Sequence, residues 1–136
     1  MRIEAYLAFR GSCQEAFNFY KDIFGGEIKN TETYEDKEID IPGNYRSKWQ
    51  HAELRGKNFT ILGYDAAPDT PLTDGTNIHL GVDMDSAESA ESAESAFDQL
   101  SKGGRVHTSF QETSWGAHYG RCTDKYGISW MINFKE

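Results

Sequence analysis

The chain has 136 residues, 22 acidic against 14 basic side chains for a formal net charge of −8, with 38% hydrophobic and 13% aromatic residues. That length suits one compact core, and the apolar content is too high for a disordered chain. Lysines and arginines are scattered instead of massed, which removes the footprint of a nucleic-acid binder; an acidic surface disfavours anionic membranes, and no apolar run approaches the ~20 residues of a membrane helix.

The first segment, MRIEAYLAFRG, alternates like a strand over residues 4 to 9 and has neither the apolar stretch nor the cleavage site of a signal peptide. Cys13 and Cys122 are far apart and form no zinc or CxxC spacing, so two reduced thiols and a cytoplasmic location are expected. Residues 12 to 24 place Ala16, Phe17, Tyr20, Ile23 and Phe24 on one helical stripe, with Ser12 and Glu15 as a capping box and Gly25-Gly26 as the stop. Strands are expected in EIKNTETYE, WQHAEL and NFTILGY, followed by an exposed link, APDTPLTDG, over residues 67 to 75.

After the link the pattern returns. IHLGVD reads as a strand, and Asp85 with Glu88 as the cap of a helix that presents Ala87, Ala90, Phe97 and Leu100 to a sheet and stops at Gly103-Gly104. The triplet SAE, repeated three times from Ser86 to Glu94, reads as a solvated acidic face near a helix N-terminus. RVHTSFQET, HYGRCT and ISWMINF complete the set. The order is βαβββ twice, as an internal duplication would leave it. It implies an α+β chain with module one at residues 1–66, a linker at 67–75 and module two at 76–136. Mixed sheets would curl around a cavity, with helices outside. On a strict period of two, Leu7, Phe9, Ala52 and Leu54 face the helix, while Trp49, His51 and Glu53 face the cavity. Trp130, Ile132 and Phe134 face the second helix.

The stretches YLAFRGSCQEAFNFYKDIFGGEI, HAELRGKNFTILGYD and QETSWGAHYGRCTDKYGISWMIN resemble the PhnB-like branch of the vicinal-oxygen-chelate superfamily, which holds glyoxalase I and the fosfomycin-resistance, bleomycin-binding and extradiol-dioxygenase proteins. The resemblance implies paired βαβββ modules, often in a homodimer, and a small-molecule ligand in the cavity. Relatives of this branch are also called demethylubiquinone methyltransferases. A transfer from S-adenosylmethionine needs a nucleotide site, usually a glycine-rich loop between strand and helix in a parallel α/β sheet, whereas the double glycines here follow helices.

Metal-dependent members of the superfamily hold a divalent ion from strand positions that fall near Glu4, Leu62, Asn77 or His79, and Met131 of this chain. Two of the four are aliphatic or thioether, short of the three protein ligands usual for a catalytic ion. No cofactor is therefore expected at these positions, and a divalent ion held elsewhere, by His51, Glu53 and Glu112, stays open. The pocket expected from the sequence has His51 and Glu112 as its acid and base, lined by Tyr6, Trp49, Glu53, Trp115 and Met131. Small-molecule binding with the chemistry undecided is the leading expectation; a metal-dependent lyase, isomerase or dioxygenase is the alternative.

Overall fold

The computed structural model describes residues 1–36, 41–85, 87–113 and 116–135. They form two compact units, Met1–Thr73 and Asp74–Glu136. Unit one contains β1 (Tyr6–Phe9), α1 (Cys13–Phe24), β2 (Glu27–Thr33), β3 (Trp49–Arg55) and β4 (Thr60–Asp65). Its sheet runs β1-β4-β3-β2, with β1 parallel to β4 and the other pairs antiparallel. Unit two repeats the plan with β5 (Leu80–Met84), α2 (Ala90–Ser101), β6 (Arg105–Glu112), β7 (His118–Thr123) and β8 (Ser129–Phe134), in the order β5-β8-β7-β6. The duplicated βαβββ reading of the sequence matches this element order.

Each helix lies on one face of its sheet, and a glycine makes the close approach possible. A Cβ added at Gly63 of β4 would stand 2.6 Å from the Phe17 ring, and one at Gly120 of β7 would stand 2.7 Å from the Phe97 ring. Phe17 is fully buried with Cys13, Ala16 and Tyr20, and packs edge-on against Phe9 with ring centres 6.3 Å apart. In unit two, Ala93, Ala96, Phe97 and Leu100 of α2 are buried, as are Cys122, Trp130, Ile132 and Phe134 of the sheet. Each fully buried large apolar side chain contributes about 1.5–3 kcal/mol of transfer free energy, so these two stripes supply much of the stability.

Two local expectations need correction. Ser12 does not cap α1 with its side chain. Asp65, at the end of β4, takes that role: its Oδ1 accepts from Cys13 N at 2.8 Å and its Oδ2 from Trp49 N at 3.0 Å. A cap supplied from 52 residues away leaves no local signal. The second helix starts later than expected, because Ser89 and Ser92 form the capping box at its first turn. Asp85 and Glu88 close the preceding turn instead, where Asp85 N donates to Glu88 Oε2 at 2.9 Å. Ala87 therefore precedes the helix and is exposed, while Ala93 and Ala96 take the buried stripe. Cys13 stands in the first turn of α1, where a helix dipole lowers a thiol's pKa, but burial, and then the charge of Asp65, push it up.

Asp65 is only 1% exposed. Burial raises its carboxyl above the ordinary value, against the pull of backbone donors from Cys13, Trp49 and Gly11 and of the Lys48 charge. Removing a buried acceptor strands its donors, so Asp65→Ala should destabilise the chain by about 3 kcal/mol in urea unfolding. A change below about 0.5 kcal/mol, the usual range of neutral surface substitutions, would deny Asp65 this role.

Candidate functional site

Strand alternation turns Tyr6, His51, Glu53, Leu62 and Tyr64 onto the face of the first sheet opposite α1, because Glu53 and Tyr6 both pair with Leu62. At the centre of this face is Glu53, only 9% exposed. Its Oε2 lies 2.8 Å from His51 Nε2, while Oε1 accepts from Asn30 Nδ2 at 3.0 Å and from Arg55 Nε at 2.6 Å. These hydrogen bonds, led by that of His51 and followed by those of Asn30 and Arg55, lower its pKa to about 2. Glu53 is thus ionised throughout the physiological range, and it fixes the His51 ring by one nitrogen, leaving Nδ1 as the ring nitrogen it does not engage. The Tyr6 ring stands 5.8 Å from the His51 ring and 6.3 Å from that of Tyr64, giving the face an aromatic wall.

Tyr6, His51 and Glu53, expected from the sequence, are brought together; Trp49 is not. The pairing of β2 with β3 runs Glu32 to His51 and then Thr33 to Trp49, so Gln50 is an extra residue that reverses the alternation. Trp49 accordingly packs toward α1, edge-on to Phe17 at 6.4 Å. A second irregularity, between Lys29 and Glu32 of β2, holds Asn30 at φ +55°, the conformation from which its amide reaches Glu53. Asn30 and Arg55 were missed in the sequence reading. The detectable signal was Arg55, two residues beyond Glu53 on one strand and therefore on the same face.

In unit two, Met131 pairs with Gly81 and Arg121 on the face opposite α2. Glu112 is exposed and pairs with His118, which in turn pairs with the buried Phe134, so its row belongs to the face that α2 covers. Trp115 lies outside the described residues. The same open face of unit two carries a hollow of about 650 Å³ lined by, among others, His79, Arg105, His107, Arg121, Thr123 and Lys125.

The donor set does not fit a divalent ion at the superfamily's positions. Glu4 is paired with Arg2 at 3.2 Å, Leu62 is 2% exposed, and Met131 offers only a thioether. Among the described residues, no group of three or more His, Cys, Asp or Glu side chains is arranged to hold a metal.

Two βαβββ units, each with one sheet face covered by a helix and the other lined by polar and aromatic side chains, give the chain the fold of the glyoxalase/bleomycin resistance protein/dioxygenase proteins. A family model described as 3-demethylubiquinone-9 3-methyltransferase matches residues 1–133. Protein YjdN of Escherichia coli (strain K12) is 27% identical over 143 residues, covering 98% of this chain and 95% of that protein. The crystal structure of PA1353 from Pseudomonas aeruginosa superposes with a TM-score of 0.87 at 30% identity, covering 100% and 99% of the two chains. The putative 3-demethylubiquinone-9 3-methyltransferase PhnB protein from Bacillus cereus gives 0.82 at 24%, covering 98% and 99%. The chain belongs to this PhnB-like family. The methyl transfer in the family's description does not fit the glycine doublets, which follow α1 and α2 instead of opening a helix after a strand.

The Glu53 hydrogen bonds carry a pH signature. A carboxyl whose folded pKa lies near 2, below the ordinary 4.5, stabilises the fold above pH 4.5 and loses that contribution as pH falls toward 2. The melting temperature of the wild type should exceed that of Glu53→Gln at pH 6, and the gap should close between pH 4.5 and 2. A gap independent of pH would contradict the assignment.

Proposed function

We propose that the chain binds a small molecule on the open face of its first sheet, where His51, oriented by Glu53, exchanges a proton or hydrogen bond with the ligand through Nδ1 and Tyr6 stacks against it. The observation that carries this reading is the ionised Glu53 held by His51, Asn30 and Arg55: a carboxylate fixed by three donors makes the imidazole a preorganised acid–base group. Met131 stands on the open face of the other unit's own sheet and is no part of this site, and Trp49 and Glu112, on the faces of the helices, are left out as well. The reading covers binding and proton handling and needs no metal. The metal-dependent lyase, isomerase or dioxygenase alternative has no donor set in its favour among the described residues.

A homodimer and a cytoplasmic location belong to the same proposal. The first is supported by Ile3 and Ile78, 94% and 76% exposed, just ahead of the edge strands β1 and β5. The second is supported by Cys13 and Cys122, both free and buried. No described helix is long and apolar enough to cross a membrane.

A thermal-shift screen with metabolites and antibiotics tests the proposal. A compound that raises the wild-type melting temperature should bind His51→Ala at least about tenfold more weakly, the loss of roughly one hydrogen bond, and Glu112→Gln as tightly as the wild type. Equal affinity for His51→Ala would remove His51 from the site.

A further inference from the structure

The hollow of unit two is built differently from the face around His51. Its volume is about 650 Å³. Its floor is the row Arg105, Thr123 and Ser129 and the next position, Arg121, all on the face opposite α2 by their pairing across β6, β7 and β8. Its rim is the segment Asp74–Thr76, His79, the Gly103-Gly104 pair and the turn Asp124–Gly127.

Three permanent cations, Arg105, Arg121 and Lys125, line this space against two carboxylates. One of those, Asp124, is 2% exposed and turned inward: Oδ1 accepts from Tyr126 N at 2.9 Å and Ile128 N at 3.0 Å, and Oδ2 from Trp130 Nε1 at 2.9 Å. The other, Asp74, is exposed at the rim above Gly127. In a chain of net charge −8, such a concentration of positive charge runs against the whole.

The decisive feature is Arg121. Its Nε is buried and has no hydrogen-bond partner among the described residues. A buried N–H without an acceptor is costly, and guanidinium is the side chain whose paired donors match the oxygens of a carboxylate or phosphoryl group. Hydroxyls stand beside it, with Thr123 Oγ1 2.8 Å from His107 Nε2.

We propose that this hollow is an oxyanion site that binds a small molecule through a carboxylate or phosphoryl group, with Arg121 as the main donor, Arg105 and Lys125 supplying charge, and Thr123 and Ser129 supplying hydroxyls. The site is independent of the His51 proposal and stands if that one fails.

The experiment titrates inorganic phosphate and malonate, each against sodium chloride at equal ionic strength, while recording melting temperature and the Nε–H resonance of Arg121 in the full chain. At about tenfold the dissociation constant a specific anion should raise the melting temperature by about 4 °C and move the Arg121 resonance. Arg121→Met should abolish the response, while Arg46→Gln and His51→Ala keep it. A response to phosphate alone assigns the phosphoryl class, to malonate alone the carboxylate class, and to both a general oxyanion site. An unmoved Arg121 resonance with both anions, or a melting response that survives in folded Arg121→Met, overturns the proposal.

Discussion

A phenylalanine ring seated on a glycine fixes each helix to its sheet. Phe17 occupies the space that a side chain at Gly63 would fill, and Phe97 does the same at Gly120. Because strands alternate, closing one face this way commits the residues of opposite parity to the other face, and that is where His51 and Glu53 stand in unit one and Arg121 and Met131 in unit two. The chemistry of the open faces is thus a consequence of where the rings sit. The two units use the device on different strands, β4 in one and β7 in the other, so what is repeated is the packing solution and not a residue-for-residue copy.

The open faces differ in electrostatic design. In unit one a nearly buried carboxylate is surrounded by donors and stays ionised, so its role is to hold His51 and Arg55 in place. In unit two the buried carboxylate, Asp124, is spent on its own turn and on Trp130, which leaves the arginines of the neighbouring strands as the dominant charge of the hollow. One face is organised around a fixed anion and the other around cations.

Much of the architecture was legible in the sequence because it is written in local patterns. The stripe through Ala16, Phe17 and Tyr20, the glycine doublets and the alternation of Trp130, Ile132 and Phe134 are all short-range signals, and the structure follows them. What failed to show was whatever depends on pairing. The extra residue Gln50 in β3 turned Trp49 to the helix, and the irregular pairing of β6 with β7 between Thr108 and Gln111 set the row of Glu112 with Phe134; a period of two has no means of registering a bulge. Asp65 capping α1 and Asn30 reaching Glu53 are long-range contacts for the same reason. The arginines looked scattered along the chain because Arg105 and Arg121 come together only across strands, in adjacent rows of one sheet face.

The dependence of everything else on the seated ring is open to a double-mutant cycle at Phe17 and Gly63, read by urea unfolding. Gly63→Ala alone should cost at least about 1 kcal/mol, the lower range for overpacking a tight core, because its Cβ would meet the Phe17 ring at 2.6 Å. In a Phe17→Ala background the same substitution should cost clearly less, since the ring is gone and only the Leu7 carbonyl oxygen, 3.1 Å from the added Cβ, still crowds it. If Gly63→Ala costs the same in both backgrounds, the ring and the glycine are not coupled, and the division of each sheet into a sealed and an open face loses its physical basis.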